Sequence, residues 1–153
     1  MNDQFELSFI DRLCETRHSA SISEMREYLR RDLEDLLNTR QGCDNIPQWC
    51  EQLRSSIAVY GLHNIETVDI SSQEELQRLL SDIKNAIIRF EPRLENVEVS
   101  ITKDESGKQA WSPFILHLRI DAEMRMGNYL DRVVFNTMIQ KSGATVQEAL
   151  DHA

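Results

Sequence analysis

At 153 residues the chain suits one compact domain with its own core and falls short of two. Apolar residues make up 41% and charged residues 28%, an ordinary balance that argues against disordered and fibrous classes. Seventeen Lys and Arg against 26 Asp and Glu leave a net charge of -9, which repels a polyphosphate and disfavours nucleic acid as a partner.

Residues 1–22 read as an opening segment. It carries Asp3 and Glu6 where a signal peptide would place positive charge, so a cytoplasmic protein is expected. Phe9, Ile10 and Leu13 suit one short helical turn, and the polar stretch from Thr16 to Ser23 follows. Ser21 with Glu24 is a capping box, and Met25, Leu29, Leu33, Leu36 and Leu37 then recur at helical spacing. This predicts a helix over 23–38, with Glu27–Arg31, Arg30–Glu34 and Arg31–Asp35 paired on its outer face. Gln41 to Pro47 is a loop. A second helix is predicted over 48–60, with Trp49, Leu53, Ile57 and Tyr60 on one face and Gly61 ending it in the left-handed region. Leu62 to Ile70 is connecting chain. A second capping box, Ser72 with Glu75, opens a third helix carrying Leu76, Leu79, Leu80, Ile83, Ile87 and Phe90. Pro92 stops it by forcing Glu91 out of the helical region.

Beyond Pro92 the period falls from 3.6 to 2. Val97, Val99 and Ile101 alternate with polar residues, and Asp104 to Lys108 make a turn around Gly107. Phe114, Leu116, Leu118, Ile120, Ala122, Met124 and Met126 alternate with Ile115, His117, Arg119, Asp121, Glu123 and Arg125, which predicts a long strand with one buried face. Gly127 to Asp131 reads as a turn, Val133 to Ile139 as another strand, and 141–153 as a weakly structured tail. The expected architecture is α+β: three N-terminal helices packed on a small, mainly antiparallel C-terminal sheet, in a single domain over 23–140.

Few residues invite catalysis. Cys43 and Cys50 have six residues between them, short of a structural metal pattern, and Cys14 stands apart from both, so no metal or cofactor is expected. His117 falls on the outward face of the long strand. The five glycines lie in no phosphate-cradling spacing. Apolar runs such as Phe114 to Leu116 are too short to insert in a membrane. One corner is chemically distinctive: Glu91-Pro92-Arg93-Leu94. In extended chain residues 91 and 93 point the same way about 7 Å apart. The carboxylate and guanidinium can therefore meet each other or together meet a partner's polar groups. A neighbouring Arg93 opposes the raised pKa that a general acid needs. Glycoside hydrolysis also requires a second carboxylate about 5–9.5 Å away, and no motif nominates one.

This corner, at the end of the Ile83, Ile87, Phe90 helix and followed by alternating Val97 and Val99, resembles the signature of the baseplate wedge proteins of contractile injection machines. The nearest branch is the type VI secretion component TssE. Ser8-Phe9-Ile10-Asp11-Arg12-Leu13 is similar to the family's opening segment. Leu29 to Arg40 resembles its Arg-rich first helix, which ends in Leu-Leu-Asn-Thr-Arg, although Gln41-Gly42-Cys43 follow where many relatives carry further basic residues. Ser56 to Leu62, with Tyr60-Gly61-Leu62, matches the second helix and its glycine stop. Val133-Val134-Phe135-Asn136-Thr137 is similar to the last strand.

The resemblance implies assembly without catalysis. Its members sit in the cytoplasmic baseplate beneath the inner membrane, in wedges containing TssF and TssG and near TssK. They are thought to template the first ring of the sheath, built from TssB and TssC, by offering strands to it. Glu91, Pro92, Arg93 and Leu94 then inherit a contact role toward the wedge. Val133 to Ile139 is the nominated donor or acceptor edge, because exposed strand edges gain main-chain hydrogen bonds from an added strand. The alternative is a peptidoglycan-acting, lysozyme-like hydrolase, a label this family has also carried.

Overall fold

A computed structural model describes residues 5–6, 19–43, 46–47, 49–63, 72–102, 111–112, 115–127, 129–140 and 142–149. The expected Phe9–Leu13 turn, the Leu62 to Ile70 connection beyond His63, the Asp104–Lys108 turn and Cys14 lie outside these residues. The first helix, α1, spans Ile22–Asn38. Ser21 caps it as predicted: its hydroxyl accepts from the Glu24 N–H, and Glu24 Oε2 accepts from the Ser21 N–H at 2.8 Å. The predicted stripe of Met25, Leu29, Leu33, Leu36 and Leu37 is buried. On the outer face Arg31 bonds Glu27, and Arg30 bonds both Glu34 and Glu27. The other long helix, α2, spans Gln73–Phe90 and buries Leu76, Leu79, Ile83, Ala86 and Ile87. It stops one residue before Glu91, whose φ of -120° and ψ of 80° lie outside the helical region that a following proline disfavours.

The predicted helix over 48–60 does not form. Two short 3₁₀ turns, Gln52–Ser55 and Ile57–Val59, stand in its place, so the described residues hold two α-helices where three were expected. Ser56 explains the split. Its backbone is extended, and its hydroxyl donates to the Leu53 carbonyl at 2.7 Å while accepting from the Ala58 N–H. A side chain that bonds the backbone on both sides replaces helical bonds with turns. The supposed buried face is open: Trp49 is 84% and Ile57 is 89% exposed.

The main sheet is antiparallel, with β3 (Leu94–Ile101), β5 (Ile115–Met126), β6 (Tyr129–Gln140) and β7 (Gly143–Glu148) side by side in that order. A short β4, Trp111–Ser112, pairs with the start of β5, and β1 (Phe5–Glu6) pairs with β2 (Ser19–Ala20) in a separate ribbon. β5 matches its predicted alternation, with Leu116, Leu118, Ile120, Ala122, Met124 and Met126 buried. The turn after it is tighter than expected. Met126 pairs with Tyr129, so only two residues intervene, and Gly127 takes φ 59°. The expected loose tail is also corrected: β7 pairs along β6 from Phe135↔Glu148 to Gln140↔Gly143, with Ala144 and Val146 in the core. In β3 the register shifts between Glu95 and Glu98, with Asn96 at φ 51°. That bulge brings Leu94 onto the buried face with Val97, which strict alternation over three residues forbids. Both helices lie on one face of the sheet, and Leu29, Leu33, Ile83, Ile87, Leu118 and Phe135 fill the space between without solvent contact.

Candidate interaction corner and sheet edges

The corner forms because α2 must end at Pro92 and β3 must begin at Leu94. The Glu91 N–H still bonds the Ile87 carbonyl at 2.8 Å, and the Leu94 N–H bonds the Glu91 carbonyl at 3.1 Å, closing a tight turn. Within it Arg93 grips Glu91 from two nitrogens, Nε to Oε1 at 2.7 Å and Nη2 to Oε2 at 2.6 Å. The Arg93 N–H adds a bond to Oε1 at 3.2 Å. Nη2 also donates to Asp32 of α1, and Nη1 lies 4.0 Å from the Met25 sulfur. The Arg93 carbonyl accepts from the Arg125 N–H of β5 at 2.7 Å. One residue thus joins both helices to two strands.

Burial disfavours the charged guanidinium, but the bonds from Glu91 and then Asp32 outweigh it and raise the Arg93 pKa above an arginine's ordinary value. Tyr60 packs edge-on against Phe90 with ring centroids 5.2 Å apart. Burial raises its hydroxyl pKa, and the negative fields of Asp32, Asp35 and Glu91 add to that.

The corner is only partly open to the outside. Glu91 is 5% exposed and Leu94 is buried, so both are parts of the domain's own packing. Pro92 is exposed, and the Arg93 side chain retains 22% exposure. Asp32, which completes the cluster, was not singled out from the sequence. A signal for it exists: its i-4 and i+4 neighbours, Tyr28 and Leu36, are uncharged, so an acid flanking the buried stripe has no base at those positions.

The nominated edge moves as well. Val133, Val134, Phe135 and Thr137 are buried and only Asn136 is exposed, because β6 runs between β5 and β7. The long Val133–Ile139 run signals an interior strand, and it looked like an edge only because β7 was missing from the expected sheet. Among the described residues β3 and β7 end the four-strand run, and the short β4 pairs only with β5. His117 is exposed on the outward face, as expected, beside a charge network in which Arg119 and Arg132 both bond Asp121 and, Arg119 first, lower its pKa. Cys43 and Cys50 are half-buried free thiols, and no three metal-binding side chains are grouped among the described residues.

Residues 23–129 match the family described as baseplate wedge protein gp25. The chain belongs to that family. TssE belongs to the same family, so the resemblance seen in the corner and the first helix extends over α1, α2, β3 and β5. No curated protein and no solved structure matches the chain. As a member of the gp25 wedge family it takes a baseplate structural role. The corner lies inside the matched span; most of β6 and all of β7 lie beyond it.

Proposed function

We propose that this wedge protein is the TssE-type subunit of a type VI secretion baseplate, working in the cytoplasm at the inner face of the inner membrane. It docks to TssF and TssG, has TssK as a further baseplate neighbour, and seeds the first ring of TssB and TssC. The observation that carries this reading is the family match over residues 23–129, which takes in both helices, the corner, β3 and β5. The corner presents Pro92 and part of Arg93 outward on a backbone fixed from behind by Glu91 and Asp32. A surface held rigid before docking loses little conformational entropy on binding. Sheath contact falls to an outer strand, and β3 is the candidate, with Val99 and Ile101 half-buried along it.

The role is non-enzymatic. A general acid has to offer a proton to substrate, yet both Glu91 oxygens already accept from Arg93. Affinity purification of the tagged chain from cells expressing TssF and TssG tests the proposal: a stable ternary complex supports it, and recovery of the folded chain alone overturns it. Solubilisation of peptidoglycan by the purified chain, abolished in Glu91→Gln, would establish the hydrolase instead.

A further inference from the structure

The segment Leu36-Leu37-Asn38-Thr39-Arg40 ends α1, and Asn38 there makes contacts that capping a helix does not require. Its Nδ2 donates to the Ala144 carbonyl at 2.8 Å, and its Oδ1 accepts from the Ala144 N–H at 2.7 Å. Nδ2 also donates to the Glu34 carbonyl within α1 at 2.8 Å, which fixes the amide's orientation. Ala144 belongs to β7, an outer strand of the sheet. In an antiparallel ladder the N–H and C=O of one residue point to the same side. Since the Ala144 N–H goes to Asn38, both groups face away from β6, where an added strand would bind. Two residues on, the next outward carbonyl, Val146, accepts from Arg30 Nη1 at 3.1 Å. Near the far end of β7, Arg26 bonds Glu148 at 2.7 Å and Asp131 at 2.6 Å. Successive turns of α1 therefore run along the rim of β7.

A primary amide has the same donor and acceptor as a peptide group, so it can stand in for one residue of a neighbouring strand. The fit is close: a Cβ added at Gly143, which has φ +141°, would lie 2.7 Å from Asn38 Oδ1. We infer that Asn38, supported by Arg30, acts as a surrogate strand that seals the β7 edge against pairing with a second copy of this chain. Exposed strand edges are templates for such pairing, and an interaction that satisfies their outward groups removes the template. The occupant of this edge is α1 of the same molecule, and the edge opens only when Asn38 lets go. The inference does not depend on the wedge assignment, since it concerns the isolated chain.

The test combines amide exchange with sedimentation velocity on the full chain. In the wild type the Ala144 amide should exchange slowly and the protein should sediment as a monomer. Asn38→Ala should speed Ala144 exchange at least about tenfold while leaving the Phe135 amide protected, because a lost hydrogen bond of about 1.4 kcal/mol is a tenfold change. It should also produce a concentration-dependent dimer, which Thr145→Lys on the exposed side of β7 reverses. An unchanged Ala144 rate, or a folded Asn38→Ala protein that stays monomeric at the same concentrations, overturns the inference. Should Asn38→Ala fail to fold, Asn38→Asp keeps the acceptor for the N–H and loses the donor to the carbonyl. A dimer reversed by Thr145→Lys then supports the seal, and a monomer overturns it.

Discussion

Arg93 shows how one side chain serves architecture and surface together. Its guanidinium satisfies a buried carboxylate and reaches Asp32 on another helix, while part of it stays in water. Replacing it strands Glu91 in the protein interior. Removing one partner of such a buried pair costs about 3–5 kcal/mol, so Arg93→Ala should lower unfolding free energy by that order in urea titration. Asp32→Asn should cost far less, about 1 kcal/mol or under, because the Asp32 side chain is 47% exposed. Weak wedge binding by Arg93→Ala therefore reports stability as much as contact, whereas an exposed change such as Pro92→Ala leaves the Glu91–Arg93 bonds intact. Glu27 gives a separate pH signature. Its bond to Arg30 chiefly, and to Arg31, lowers its pKa from 4.5 to about 2. A carboxyl held low in the folded state contributes stability above its unfolded pKa and loses it as pH falls toward the folded value. Stability should thus decline between about pH 4.5 and pH 2, and Glu27→Gln should flatten part of that decline in acid titrations followed by circular dichroism.

The elements differ in how plainly their residues announce them. Strong periodicity carried α1, α2 and β5, and their capping serines and buried stripes stand where the sequence put them. The 48–60 region failed for a local reason: Trp49, Leu53 and Ile57 mimic a helical face, but Ser56 takes the backbone bonds for itself. β7 was hidden because six residues with only Ala144 and Val146 inward give too short an alternation to read. Missing β7 in turn made β6 look like an edge. The Glu91–Arg93 pairing was within reach of the sequence, whereas Asp32 joins from 61 residues away and needs the fold to bring it there. The Tyr60-Gly61-Leu62 segment shows what a family motif can encode. The Leu62 N–H bonds the Thr39 carbonyl and the Gln41 N–H bonds the Leu62 carbonyl, each at 2.9 Å. Gly61 passes so close that a Cβ would lie 2.2 Å from the Thr39 carbonyl oxygen, at φ +103°. Gly61→Ala should therefore cost about 1–3 kcal/mol, read as a lower melting temperature. Leu118→Asp should do worse, since an unpaired charge at the centre of β5 removes the cooperative transition altogether in thermal scans.

At the scale of the whole molecule, one layer of helices braces one sheet, and the brace converges on the corner between α2 and β3. The outward sheet face carries compensated charge, with Arg119 and Arg132 on Asp121 and Arg125 on Glu95, which suits solvent or a polar neighbour. Asn38 and Arg30 occupy outward backbone groups of β7, and on the proposal above assembly contacts fall to β3 beside the corner. Hydrogen–deuterium exchange of the chain with and without a purified TssF–TssG complex tests this account most directly. It predicts a stable complex in which protection rises around Pro92 and Arg93 while the β7 amides stay as they were. Absence of a complex, or protection confined to β7 with the corner unchanged, would contradict it.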